Sequence, residues 1–171
     1  MKRLLQDKDS LFEAYDLDGL RELFDFRSKD TNVSFEDFVR TDNRKVSHGK
    51  FMGKHFFIRF VKELNEISEQ YGSIIYKPEG NATIKATVAD DSESLFTPCT
   101  YKLEDVTVIE GTAAKPIEEI VSFRGRFCEH ARNGETVIAQ GKLERVQQQG
   151  KHDHYRLLLG SKTSDHMILA Q

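Results

Sequence analysis

Residues 82–88, Ala-Thr-Ile-Lys-Ala-Thr-Val, alternate apolar and polar side chains without a break. A strand turns successive side chains to opposite faces, so this run has one face for a core and one for water, and it does not suit a helix. The same reading predicts further strands at 55–61, 100–108, 117–123, 135–147, 155–159 and 166–170, rich in β-branched and aromatic residues and separated by Gly, Pro, Asn and Asp turns. Links as short as the one around Gln149-Gly150 favour antiparallel neighbours, in a meander or small barrel.

Helical spacing is confined to the front of the chain. Leu17, Leu20, Leu23 and Phe24 recur at intervals of three and four with acids between them, which predicts a short amphipathic helix. Ser34-Phe35-Glu36-Asp37 announces a second, with a serine oxygen to cap backbone N–H groups and an acid three residues on to return the bond. Phe35, Phe38 and Val39 would be its buried side. A polar stretch ending at Tyr71-Gly72 is read as a third helix. The expected class is therefore α+β: mostly antiparallel β-sheet or a small barrel with two or three helices. A short helical N-terminal segment, 1–47, precedes a β-rich domain, 48–171.

A chain of 171 residues can bury a core without a metal or disulfide staple. No stretch approaches the roughly 20 apolar residues a bilayer crossing needs. Residues 1–6 hold too short an apolar run for a secretory leader, so the expected location is cytoplasmic, with no membrane partner. Cys99 and Cys128 lack ligand spacing and are read as buried thiols.

The net charge of −3 hides a segregation. Residues 40–62 hold seven basic side chains and one acidic, a net of +6, while 63–119 hold four basic and twelve acidic. Such a block needs an anionic partner or a neighbouring acidic face. Within it Lys50 and Arg59 are interleaved with Phe51, Phe56, Phe57 and Phe60, the composition of a surface that grips phosphates while rings stack on bases. Phe56 and Phe60 alternate as core residues do. Phe51, between Gly49 and Gly53 in an expected loop, can either join the core or stand out to stack. A second basic cluster, Arg124, Arg126 and Arg132, surrounds Gly125 and an expected helical run at 127–131. Arginine suits bidentate phosphate capture, and ordinary ion pairing to Glu129 or Glu144 is the alternative.

No complete catalytic constellation is present. Walker, GxGxxG, HExxH and GxSxG patterns are missing. Asp16-Leu17-Asp18 has the alternating acids that hold magnesium in nucleotidyl transfer, but no Gly-Ser turn precedes it and it opens a helix pattern. Asp90 and Asp91 are adjacent and would point to opposite sides of a strand. His152 and His154 straddle Asp153 at an expected hairpin tip and would share a face. A metal site there would need a third ligand, and exposed polar residues are the preferred reading.

Several segments together carry a family likeness: Gly49-Lys50-Phe51-Met52-Gly53 with Phe56-Phe57-Ile58-Arg59; Phe96-Thr97-Pro98 with Tyr101; Ser122-Phe123-Arg124-Gly125-Arg126-Phe127 with Ala131-Arg132 and Gly134; Gly141-Lys142-Leu143-Glu144 with Val146; and Tyr155-Arg156-Leu157 with Gly160. In order and spacing, over residues 40–170, they resemble the C-terminal part of predicted archaeal nucleotidyltransferases of the DNA polymerase β superfamily. In that family the chemistry belongs to a separate N-terminal domain with a Gly-Ser turn and paired acids, which has no counterpart here. The resemblance therefore implies an accessory domain without catalytic residues, with magnesium entering only through a catalytic partner. It also implies a functional surface from the Arg124–Arg132 segment and the Gly141–Val146 strand.

The leading expectation is a noncatalytic module that binds RNA, DNA or a nucleotide beside a nucleotidyltransferase. Arg124, Arg126, Arg132, Lys142 and Arg156, with Lys50 and Arg59, would hold phosphate, and Tyr155 or Phe51 would stack. The alternatives are a protein-interaction or homo-oligomerisation domain docking through basic residues 40–62, and a nucleotidyltransferase in its own right using Asp16 and Asp18.

Overall fold

The computed structural model describes residues 11–67, 70 and 72–170. The helical front forms as its spacing requires. Helix α1 runs over Leu17–Arg27 and α2 over Phe35–Asp42. Asp16 caps α1, its carboxylate accepting the Gly19 N–H at 2.8 Å. Ser34 caps α2 by accepting the Asp37 N–H at 3.1 Å, and its hydroxyl donates to the Asp37 carboxylate at 2.7 Å. Leu20, Leu23 and Phe38 bury with Tyr15 in a small apolar cluster, against which Phe24, Phe35 and Val39 pack. Leu17, expected on the same face, is exposed, because it is the first helical residue and lies before the turn that faces α2.

Three short strands, β1 (Phe12–Glu13), β2 (His48–Phe51) and β3 (Lys54–Phe57), form an antiparallel sheet. Lys50 and Phe51 pair with Glu13 and Phe12, and residues 54–57 pair with 48–51, so residues 48–57 share a sheet with the front of the chain. Phe51 is not in a loop. It ends β2, and the two-residue turn Met52-Gly53, with φ of 49° and 73°, follows it. Phe56 is half-buried, edge-on to Phe12, while Phe60 is 41% exposed, since the strand has ended and its backbone only bridges to Phe96. Where a third helix was expected, the described residues hold a single 3-10 turn, Leu64–Glu66; residues 68, 69 and 71 of that stretch lie outside the described residues.

The remaining strands are β4 (Ile74–Asp90), β5 (Cys99–Glu110), β6 (Ile117–Ser122), β7 (Thr136–Gln148), β8 (His154–Leu159) and β9 (His166–Leu169). Their order is β4-β5-β6-β8-β7, and β4 also pairs with β7 along nearly its whole length, so five strands close on themselves and β9 adds to the first half of β7. Closure leaves few free edges. All pairings are antiparallel except β6 with β8. Inside sit Ala82, Ile84, Ala86 and Val88, the apolar members of the alternating run, with Tyr101, Ile120, Val137, Leu143, Leu157 and Leu159. Cys99 and Cys128 are both free and buried there. No helix among the described residues is long and apolar enough to cross a membrane.

Residues 44–47 carry much of the bonding between the helical layer and the barrel. Arg44 grips the Glu135 carboxylate with two nitrogens at 2.6 Å and also donates to the His130 carbonyl. The Val46 and Ser47 N–H groups donate to the Glu129 carboxylate. Lys45 is buried, its Nζ bonding the Arg126 carbonyl at 2.6 Å and the Asp42 carboxylate at 3.1 Å.

Candidate functional site

Three segments, distant in sequence, meet beside that seam. Arg27 occupies the last turn of α1, where a cation suits the helix dipole. Phe57, Ile58 and Arg59 leave β3. Arg124, Gly125 and Arg126 leave β6, in a 3-10 turn (Gly125–Phe127) rather than the helix expected over 127–131. Together they line a cleft of about 250 Å³ with four guanidinium groups. Arg59 and Arg124 are exposed and form no ion pair among the described residues. Arg126 donates to the carbonyls of Arg27 and Asp165, and Arg27 reaches the Asp42 carboxylate at 3.4 Å while lying over the Phe57 ring.

The cleft wall concentrates positive charge. Burial lowers the Arg126 guanidinium below its ordinary range and Arg124 adds to the effect, outweighing Asp165. Burial likewise lowers Arg27, and Arg126 pushes the same way against Asp42 and Tyr15. The cations therefore disfavour one another, and an anion of two or more charges placed between them would relieve that repulsion. Asp42 and Lys45, behind the cleft wall, fix the Arg27 side chain and the Arg126 carbonyl, so the cleft is built on a rigid support.

Gly160 sets the position of Arg124. It has φ +87°, and a Cβ there would fall 2.4 Å from Arg124 Cγ. Gly160→Ala is expected to push the Arg124 side chain off its seat against the Gly160 carbonyl, and any affinity of the cleft for phosphate should fall, as a titration with inorganic phosphate or pyrophosphate would record.

Of the phosphate ligands expected from sequence, Arg59, Arg124 and Arg126 come together. The others do not. Arg156 is buried, its guanidinium bound to Glu144 at 2.8 and 3.0 Å and stacked over Tyr76, and Lys142 binds the other oxygen of the same carboxylate at 2.8 Å. Burial alone would raise Glu144, but these two cations hold it below the usual carboxylate range. Lys50 stands 3.9 Å from Glu22. Arg132 is exposed and does not line the cleft. The stacking expectations are corrected as well: Tyr155 is 5% exposed and belongs to the barrel core, and Phe51 lies with its ring centroid 4.7 Å from that of Phe12. Rings that do stand in solvent near the cleft are Phe57, Phe60 and Phe123.

The basic block is largely answered within the chain. Arg40 pairs with Glu36 and Asp37, Arg44 with Glu135, Lys45 with Asp42, Lys50 with Glu22 and Lys62 with Glu93. Asp16 and Asp18 lie at the start of α1, where Asp16 is occupied as a cap, and not on one strand face as a two-metal site requires. Arg27 escaped the sequence reading because nothing local distinguishes it from other helix-terminal arginines.

No protein-family model matches the chain, and no solved structure matches it. It is similar to an uncharacterized protein of Methanocaldococcus jannaschii. The two are 30% identical over 162 residues, covering 90% of this chain and 46% of that protein. The chain thus spans about half the length of the curated relative it matches.

Proposed function

We propose that the chain is a noncatalytic phosphate-recognising module that binds a nucleotide or a single-stranded nucleic acid and works beside a nucleotidyltransferase. The observation that carries this reading is the meeting of Arg27, Arg59, Arg124 and Arg126 around one cleft, with three of the four, all but Arg27, forming no carboxylate ion pair among the described residues. Exposed Phe57, Phe60 and Phe123 offer faces on which bases can stack. A small five-stranded barrel whose first strand also pairs its fourth, as β4 pairs β7, is an architecture that oligonucleotide-binding proteins use, an analogy of fold that adds support without fixing function. The place beside a nucleotidyltransferase rests on the resemblance of residues 40–170, and the longer M. jannaschii relative, with as much sequence again outside the match, fits an accessory unit joined to another. Docking of an acidic partner through 40–62 is the weaker reading, because the acids of the chain itself already engage most of those cations.

Fluorescence anisotropy with labelled single-stranded RNA, single-stranded DNA and a nucleotide tests it. For three or four neutralised phosphates, affinity for a single strand should fall about 20- to 50-fold between roughly 50 and 200 mM salt. Arg59→Ala and Arg124→Ala should each weaken binding about tenfold at low salt. Absence of binding at low salt, or binding untouched by both changes, sinks the proposal.

A further inference from the structure

At the opposite end of β6 from the arginine cleft, three side chains gather that the phosphate reading does not use. His152 and His154 flank the tip of the β7–β8 hairpin. Strand β6 lies parallel to β8, with Ile117 opposite Tyr155 and Glu119 opposite Arg156, so Glu118 is an inserted residue at a bulge. Bulges re-aim side chains, and this one brings the Glu118 carboxylate to the hairpin. His152 Nε2 lies 2.6 Å from Glu118 Oε1, and His154 Nδ1 lies 4.0 Å from Glu118 Oε2. The three ligand atoms all fall within 4.8 Å of one another.

These spacings bracket what a small cation needs. Around a tetrahedral zinc ion, with bonds of about 2.0–2.2 Å, neighbouring ligand atoms stand about 3.3 Å apart. The Glu118–His152 separation of 2.6 Å is shorter than that value and the Glu118–His154 separation of 4.0 Å longer, so side-chain adjustment would accompany binding. The neighbouring acid does not compete: Asp153, between the two histidines in sequence, is held by Arg145 at 2.7 and 3.0 Å and by Gln147 at 3.0 Å. That clamp fixes the hairpin tip; the His152 imidazole faces Glu118, while His154 Nδ1 also lies 3.4 Å from the His152 carbonyl, a contact that a bound ion would replace. His154 is largely shielded and Glu118 half-exposed, so mainly the 73% exposed His152 side chain would have to be ordered.

We propose that Glu118, His152 and His154 bind a first-row divalent transition-metal ion, Zn²⁺ above all. Two imidazoles with one carboxylate suit zinc and its neighbours and do not suit magnesium or calcium, which take oxygen ligands. Three protein ligands leave a coordination position open to water or to a ligand from a partner. The site stands apart from the arginine cleft: six residues of extended chain separate Glu118 from Arg124, about 20 Å.

Isothermal titration of the untagged, metal-free chain with ZnCl2 tests this. One ion per chain is expected, bound at least about tenfold more weakly by His154→Ala and by Glu118→Gln, and little affected by a large excess of MgCl2. Thermal unfolding gives a second readout: Zn²⁺ should raise the midpoint of the parent and not that of His152→Ala/His154→Ala, while the two proteins unfold alike without metal. A Cys128→Ser variant should keep the binding. Failure of the parent to bind Zn²⁺, equal binding by the histidine variants, or loss of binding with Cys128→Ser would each overturn the assignment.

Discussion

Replacing Asp42 by alanine is expected to cost about 3–5 kcal/mol of unfolding free energy, the penalty for leaving a buried cation without its partner. Asp42 is 1% exposed and faces Lys45 at 3.1 Å, itself buried, and Arg27 at 3.4 Å. Burial by itself would raise the Asp42 carboxyl, but Lys45 first, then His130, His48 and Arg27, outweigh it and hold the group ionised below the usual carboxylate range. Its removal leaves the buried Lys45 ammonium with the Arg126 carbonyl as its one remaining hydrogen-bond partner among the described residues. Urea titration of the parent and Asp42→Ala measures the loss. The double change Asp42→Leu/Lys45→Met should lie closer to the parent, because removing both charges leaves none buried and unpaired. A single-variant cost below about 1 kcal/mol would show that the network does not hold the two layers together.

Stability is also expected to drop as the pH falls from 7 to 5. His48 is buried and its Nε2 is 3.0 Å from the Asp42 carbonyl. Burial, then Lys45, pushes its pKa down to about 4, against the opposing pull of Asp42. His130 is shifted in the same direction, well below the ordinary value, by burial and then Lys45. In the unfolded chain an imidazole titrates near about 6.5, so between the two values the unfolded state binds the extra proton and stability rises with pH. The contribution is complete above about pH 6.5 and declines as the pH falls towards 4. For His48 alone the loss by pH 5 is about 2 kcal/mol, and His130 adds to it. In His48→Gln the slope of unfolding free energy against pH, between 5 and 6.5, should fall by about 1 kcal/mol per unit. Parallel slopes in parent and variant would show that His48 does not titrate as its burial requires.

Both effects arise in the layer directly behind the cleft, which links stability to the proposed function. Asp42, Lys45 and His48 anchor the Arg27 side chain and the carbonyl of Arg126, two groups that shape the cleft wall. Protonating the histidines adds positive charge beside cations that already disfavour one another.

Local pattern alone announced the strands of the barrel, the Ser34 helix cap and the α+β class, but not the short strands Phe12–Glu13 and His48–Phe51. Alternation at 82–88 predicted burial residue by residue, because a strand's two-residue period is a property of the backbone and needs no partner to be read. The Ser34 cap was legible for the same reason, since it is completed within three residues; the Asp16 cap is equally local but was shown only by the structure. Where the local signal was only polarity, as before Tyr71-Gly72, helix was expected and the described residues hold only a 3-10 turn, Leu64–Glu66, for without an apolar stripe a helix has no face to bury. Which charges stay available was decided by tertiary structure. Arg156, Lys142, Arg124 and Arg59 look equivalent in the sequence, yet folding places Glu144 between the first two and leaves the last two open. Charge pairing depends on distances of a few ångströms between groups up to 91 residues apart, as in Arg44 with Glu135, and no local period encodes such separations.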